Sequence, residues 1–82
     1  MNPRQLKERA PNTLGARLTE ARTAEGLTQK QAAAALGWNL SELSEAELGT
    51  REPRLPRLIQ LANLYRVTLD WLAGRSGEGG PG

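Results

Sequence analysis

The chain has no cysteine and no histidine among its 82 residues. That removes disulfides, thiolate chemistry, histidine general bases and the usual zinc sites. No apolar run approaches the ~20 residues a membrane-spanning helix needs. No signal peptide is visible at the N-terminus, so a cytoplasmic location is expected. There is no strand pattern, no internal repeat and no glycine-rich phosphate loop after a strand. The carboxylates are scattered over helix surfaces, and Lys30 near Ser41 or Ser44 is a poor nucleophile–base pair. The chain is therefore read as no enzyme, with no cofactor and no metal. Its formal net charge is only +2, which alone is weak support for a nucleic-acid partner.

What the chain does have is capped, glycine-punctuated helices. Leu27 to Gly37 reads as a short helix with a glycine stop. Thr28 caps it, and Gln31 sits three residues on, forming a capping box. Asn39 can cap the next helix, with Glu42 in the same reciprocal place. Gly37 supplies the left-handed residue that turns the chain between them. Two capped helices across so tight a turn form a helix-turn-helix, a device for seating a helix in the DNA major groove.

The remaining elements follow the same punctuation. Thr13 can cap a helix to about Glu25, stopped by Gly26, with Leu14, Leu18 and Ala21 as its apolar stripe. Helix two runs from roughly Gln29 to Leu36, with Ala32, Ala33 and Leu36 inward. Helix three runs from roughly Leu40 to Leu48, ended by Gly49. Helix four starts near Pro56, buries Leu58, Leu61, Ala62 and Tyr65, and ends at Val67. Thr68 can cap a last short helix from Leu69 to Ala73. The expected fold is all-α, a compact bundle of five short helices. Residues 1–12 are expected to be a flexible basic arm, 13–73 the folded domain, and 74–82 a disordered glycine-rich tail.

Leu14 to Gly74 resembles the helix-turn-helix domain of the lambdoid phage repressor and Cro class, the XRE-like transcriptional regulators. The resemblance is carried by Leu14-Gly15-x-Arg17-Leu18, by Gly26-Leu27-Thr28-Gln29 and by Ala33 to Gly37. It continues through Glu47-x-Gly49-x-Arg51-x-Pro53 and Leu61-Ala62 to Val67-Thr68-Leu69-Asp70-Trp71-Leu72. No single piece decides the matter; order and spacing do. The resemblance implies that Gln29 contacts the DNA backbone and supports the recognition helix. The N–H groups of Thr28, Gln29 and Lys30 favour a phosphate at the same place. The plainer alternative is a solvated glutamine in a capped turn. The resemblance also pairs Arg22 with Glu47, tying the recognition helix to the scaffold.

The outward face of helix three departs from this pattern. It offers Leu40, Ser41, Ser44, Glu45 and Leu48, with Glu42 beside them, and no basic residue occurs from Asn39 to Thr50. DNA readers usually present Arg, Lys, Gln or Asn there. Arg51, Arg54 and Arg57 follow the helix where the resembling family approaches the backbone, and Lys30 flanks it. Such contacts position a protein without specifying sequence. Trp38 stands in the turn, where a smaller aliphatic is usual, either plugging the core or partly exposed.

The leading expectation is a bacterial or phage regulator, repressor-like, that binds an operator in double-stranded DNA as a homodimer. The dimer contact is placed in the C-terminal helix region, at Leu69, Trp71 and Leu72. No separate ligand or peptidase domain is expected, and no membrane contact. The alternative is a protein-interaction module on the same fold, an anti-repressor, antitoxin-like partner or accessory transcription factor. It would use the apolar and acidic face of helix three.

Overall fold

A computed structural model describes residues 13–82. The expected arm at residues 1–12 lies outside the described residues. Among the described residues there are five helices and no strand: α1 Leu14–Ala24, α2 Gln29–Leu36, α3 Leu40–Leu48, α4 Leu55–Tyr65 and α5 Leu69–Leu72.

Each start has a local cause. Thr13 Oγ1 accepts from Ala16 N–H at 3.2 Å and opens α1. The Thr28 box closes at both ends, with Gln31 N–H to Thr28 Oγ1 at 3.0 Å and Thr28 N–H to Gln31 Oε1 at 2.9 Å. At Asn39 the backbone N–H donates to the Glu42 carboxylate at 3.0 Å. Thr68 Oγ1 accepts from Trp71 N–H at 3.0 Å and opens α5. Helix α4 begins at Leu55, with Pro56 in its first turn, where a missing N–H costs nothing.

Four helix ends share one geometry. Gly26, Gly37, Gly49 and Arg66 all have positive φ. The N–H after each reaches back five residues: Leu27 to Arg22, Trp38 to Ala33, Thr50 to Glu45 and Val67 to Ala62. This is the Schellman closure, which satisfies carbonyls the helix leaves open. The end of α4 therefore falls at Tyr65, two residues before the expected Val67. Arg66 takes the left-handed conformation at φ 61° without a glycine to announce it. The apolar residue that follows, Val67, is buried and holds the turn down.

The core combines Leu18 and Ala21 of α1, Ala32 and Ala33 of α2, Leu43 and Ala46 of α3, and Leu61, Ala62 and Tyr65 of α4. Trp38, Val67, Trp71 and Leu72 complete it. Leu58 and Leu36, expected inside, are only partly buried at its edge. Helix α3 packs on α1 and α2, while α4 packs on α1, α2 and α5. Small residues at these contacts let the backbones approach. One close approach is at Gly15, buried in the first turn of α1. A Cβ there would run into the Glu47 carbonyl oxygen and lie 2.9 Å from its carbon.

The C-terminal helix corrects one expectation. Trp71 and Leu72, assigned to a dimer contact, belong to the interior of the single chain, at 6% and 1% exposure. Leu69 alone of the three keeps surface. The reason is that α1 reaches across to α5. Arg17 donates to the Trp71 carbonyl at 2.8 Å, and its guanidinium lies 4.7 Å from the indole centroid. The segment expected as a disordered tail returns along α5, where Thr68 N–H donates to the Gly79 carbonyl at 2.8 Å. Gly80 lies so close to Trp71 that a Cβ would stand 2.5 Å from the ring.

Candidate nucleic-acid interface

Helix α3 is held at both ends. At its entrance the left-handed Gly37 turns the chain and drops Trp38 into the core. The indole N–H donates to Gln60 Oε1 of α4 at 3.3 Å. The Arg57 guanidinium covers the ring at 4.4 Å from its centroid, a cation–π contact. Trp38 is thus a plug for the turn, which settles the choice the sequence left open.

The other end is held by Glu47. Its carboxylate accepts from Arg22 Nε at 2.7 Å and Arg22 Nη2 at 3.1 Å. It also accepts from Thr19 Oγ1 at 3.0 Å and Gln29 Nε2 at 2.9 Å. Arg22 spends a third donor on the Leu27 carbonyl at 2.8 Å. The two charged side chains are 12% and 4% exposed. A two-pronged, charge-assisted pair of this kind is directional as well as strong. It joins α1, the α1–α2 turn, α2 and α3 at one carboxylate. The hydrogen bonds that Arg22 donates to Glu47 hold its guanidinium charged, with its affinity for the proton raised.

Sequence reasoning singled out Arg22, Glu47 and Gln29 here but missed Thr19. The available signal was its position three residues before Arg22, on the same face of α1. Gln29 is half-buried and its amide nitrogen is bound to Glu47. It braces α3 from α2.

Tyr65 packs beside this network. Its hydroxyl is buried with no hydrogen-bond partner among the described residues. Burial pushes the phenol up to about 12 from 10.0, Glu47 adds to the rise, and Arg22 opposes it. The sign of the linkage is fixed. Below the unfolded value both states keep the proton, and the stability is fully present. Between pH 10 and 12 the unfolded chain loses its proton while the folded chain does not. Stability then falls by roughly 1.4 kcal/mol per pH unit across that window. Tyr65→Phe is expected to abolish this part of the alkaline loss while changing neutral-pH stability little, since no hydrogen bond is forfeited. Urea melts of both proteins across the window check it; parallel curves would refute the assignment.

The outward face of α3 is open. Leu40 and Leu48 are 48% and 74% exposed; Ser41 is exposed, and Ser44 and Glu45 are partly so. Thr28 and Lys30 stand exposed at the start of α2. The arginines beyond α3 are not alike. Arg51 Nε meets Glu45 at 3.1 Å, with both side chains well exposed. Arg57 meets Glu42 at 3.3 Å while stacked on Trp38. Arg54 and Lys30 make no ion pair among the described residues. The Asn39 N–H, followed by Arg57, holds the Glu42 carboxyl below its ordinary range. Of the site residues expected from sequence, Arg51, Arg54 and Arg57 line one pocket with Glu42 of α3, but two of the three arginines are already engaged by its glutamates.

A capped pair of helices across a left-handed glycine, with the second pinned to the first by a buried carboxylate, defines a helix-turn-helix protein. The helix-turn-helix family profile matches residues 18–72, and the chain belongs to that family, of the XRE type. It is similar to the HTH-type transcriptional regulator ImmR of Bacillus subtilis (strain 168), with 44% identity over 63 residues. The match covers 77% of this chain and 50% of ImmR, so the chain spans about half the length of that relative. No helix among the described residues is long and apolar enough to cross a membrane.

Proposed function

We propose that the chain is a sequence-specific DNA-binding transcriptional regulator, repressor-like, that acts on a partly symmetric operator as a homodimer. The observation that carries the proposal is the way α3 is fixed. Its inner residues, Leu43, Ala46 and Glu47, are consumed by packing and by the four-bond carboxylate, so its opposite face is presented as a rigid rod. The exposed Lys30, Arg51 and Arg54 are the proposed contacts to backbone phosphates. Each subunit lays α3 in a major groove, and two-fold symmetry gives half-sites about one helical turn apart. Of the residues first assigned to the dimer contact, Leu69 remains available. It lines one groove with the exposed Leu55 of α4. Ile59, one helical turn on from Leu55, is also exposed, and these three are the proposed contact.

The test begins with selection of duplexes from a random pool by the wild-type chain. Affinity for the selected duplex should fall steeply with salt, the log–log slope shrinking by about one for each phosphate-contacting side chain removed. Lys30→Ala and Arg54→Ala should weaken selected and random duplexes alike, with melting unchanged. Failure to enrich any sequence, and no binding at low salt, would reject the reading. A second reading is favoured by one observation, the exposure of Leu40 and Leu48 on that same face. It is a module that docks a protein through α3, and in that case DNA selection fails while Leu48→Gln abolishes the partner complex.

A further inference from the structure

Two of the three glutamates on α3, Glu42 and Glu45, are each paired with an arginine that follows the helix in the chain, and the pairs differ in kind. Glu42 is fixed at both oxygens, one taking the Asn39 N–H at 3.0 Å and the other Arg57 at 3.3 Å. Arg57 is further fixed by stacking on Trp38. That pair is part of the scaffold. Glu45 and Arg51 are joined by one ion pair at 3.1 Å, with side chains 42% and 64% exposed. No other side-chain hydrogen bond or ion pair among the described residues holds either charged end, although Arg51 also lies in the field of the Glu42 carboxylate. Exposed ion pairs of this kind are weak and readily exchanged.

We propose that Glu45 and Arg51 form an exchangeable pair that makes DNA binding selective by penalty. Glu45 keeps Arg51 off the phosphates until a duplex offers the carboxylate a donor of its own, the N4 amino group of cytosine. The proposal rests on the DNA-binding reading above and deepens it. Glu45 lies on the outward face of α3, so docking brings its carboxylate into the groove, where the field of the phosphates is negative. If Arg51 then leaves for a phosphate, Glu45 is stranded unless a base edge donates to it. In the major groove cytosine N4 is the natural donor to a carboxylate. On a duplex with cytosine in the right place both charges are satisfied: Arg51 on the backbone, Glu45 on the base. On other sequences Arg51 stays with Glu45 and its phosphate contact is not made. A residue that looks unsuited to DNA thereby discriminates against wrong sites, which is how specificity often arises.

The experiment is a double-mutant cycle on two duplexes, the one selected by the wild-type chain and a random one, at several salt concentrations. Glu45→Gln should tighten the random duplex about tenfold and steepen its salt slope by about one phosphate's worth. It should change the selected duplex far less. Arg51→Ala should weaken the selected duplex about tenfold and the random one less than about twofold. In the Glu45→Gln background, Arg51→Ala should weaken the random duplex about tenfold. Replacing one cytosine of the selected duplex should weaken wild type and leave Glu45→Gln indifferent. Equal tightening of both duplexes by Glu45→Gln, with effects that add to those of Arg51→Ala, would overturn the inference and leave Glu45 a mere local charge. Failure of the wild-type chain to bind any duplex would instead overturn the DNA-binding reading, and this inference with it. Melting curves accompany each variant, and Arg51→Ala tests the pair even if Glu45→Gln misfolds.

Discussion

Glu47→Ala is expected to lose about 3–5 kcal/mol of folding stability, the usual result of stripping one partner from a buried ion pair. The wild-type carboxylate is 4% exposed and takes four hydrogen bonds, two of them from Arg22. Its removal leaves a guanidinium in the interior with only the Leu27 carbonyl as acceptor. It also orphans the Thr19 hydroxyl from its inter-helix partner and releases Gln29. Small domains have only about 5–15 kcal/mol in total, so a large part of the margin goes at once. Urea melts should show the loss in the midpoint. Arg22→Leu combined with Glu47→Leu should cost clearly less than the two single changes summed, because no unpaired charge is left behind. Strict additivity of the two, or a Glu47→Ala chain as stable as wild type, would show that the network is ornamental. The consequence for function is direct. The same carboxylate joins α3 to α1 and α2, so its loss frees α3, the proposed reading helix, to shift even in molecules that stay folded.

The helix boundaries were legible because they are set by local chemistry. Thr13, Thr28 and Thr68 bond the backbone within three residues of themselves, and Gly26, Gly37 and Gly49 provide left-handed stops. Such signals depend on neighbours in the chain and survive without knowledge of the fold. Arg66 shows the limit. Its positive φ is enforced by burial of Val67, a tertiary effect, so the sequence pointed to the wrong residue as the end of α4. Trp38 shows another. Its burial depends on Gln60 and Arg57, more than a dozen residues away in α4, and no pattern near the turn announces that cover. The charges divide in the same way. The Arg22–Glu47 pair was readable through the family resemblance. The capture of Arg51 by Glu45 and of Arg57 by Glu42 was not, because it depends on how the loop after α3 folds back. The sequence favoured Arg51 as a backbone contact and left Arg54 and Arg57 open. The structure distinguishes Arg57, stacked on Trp38 and paired with Glu42, from Arg51 in its exposed pair with Glu45, and from Arg54, which makes no ion pair among the described residues.

Gly15→Ala is the second large effect, and its sign reverses what helix propensity alone would give. In an exposed helix the change should stabilise by about 1 kcal/mol. Here the new methyl group would meet the Glu47 carbonyl oxygen, its carbon at 2.9 Å and the Ala46 carbonyl oxygen at 3.1 Å. All three are backbone atoms of α3, so no side chain can swing aside. Relief requires α1 and α3 to separate. Separation in turn stretches the Arg22–Glu47 bonds at 2.7 and 3.1 Å. Overpacking of this kind costs roughly 1–3 kcal/mol, and the strain on the ion pair places this site at the upper end. Gly15→Val should exceed that and leave little folded domain. Gly77→Ala is the matched control, since a Cβ there meets nothing within 4 Å and the change should stay within about 0.5 kcal/mol. Thermal melts of the three variants decide the matter. A Gly15→Ala chain as stable as the Gly77→Ala control would mean that α3 tolerates a looser seat on α1. The rigid presentation on which the DNA-binding reading depends would then lose its structural basis.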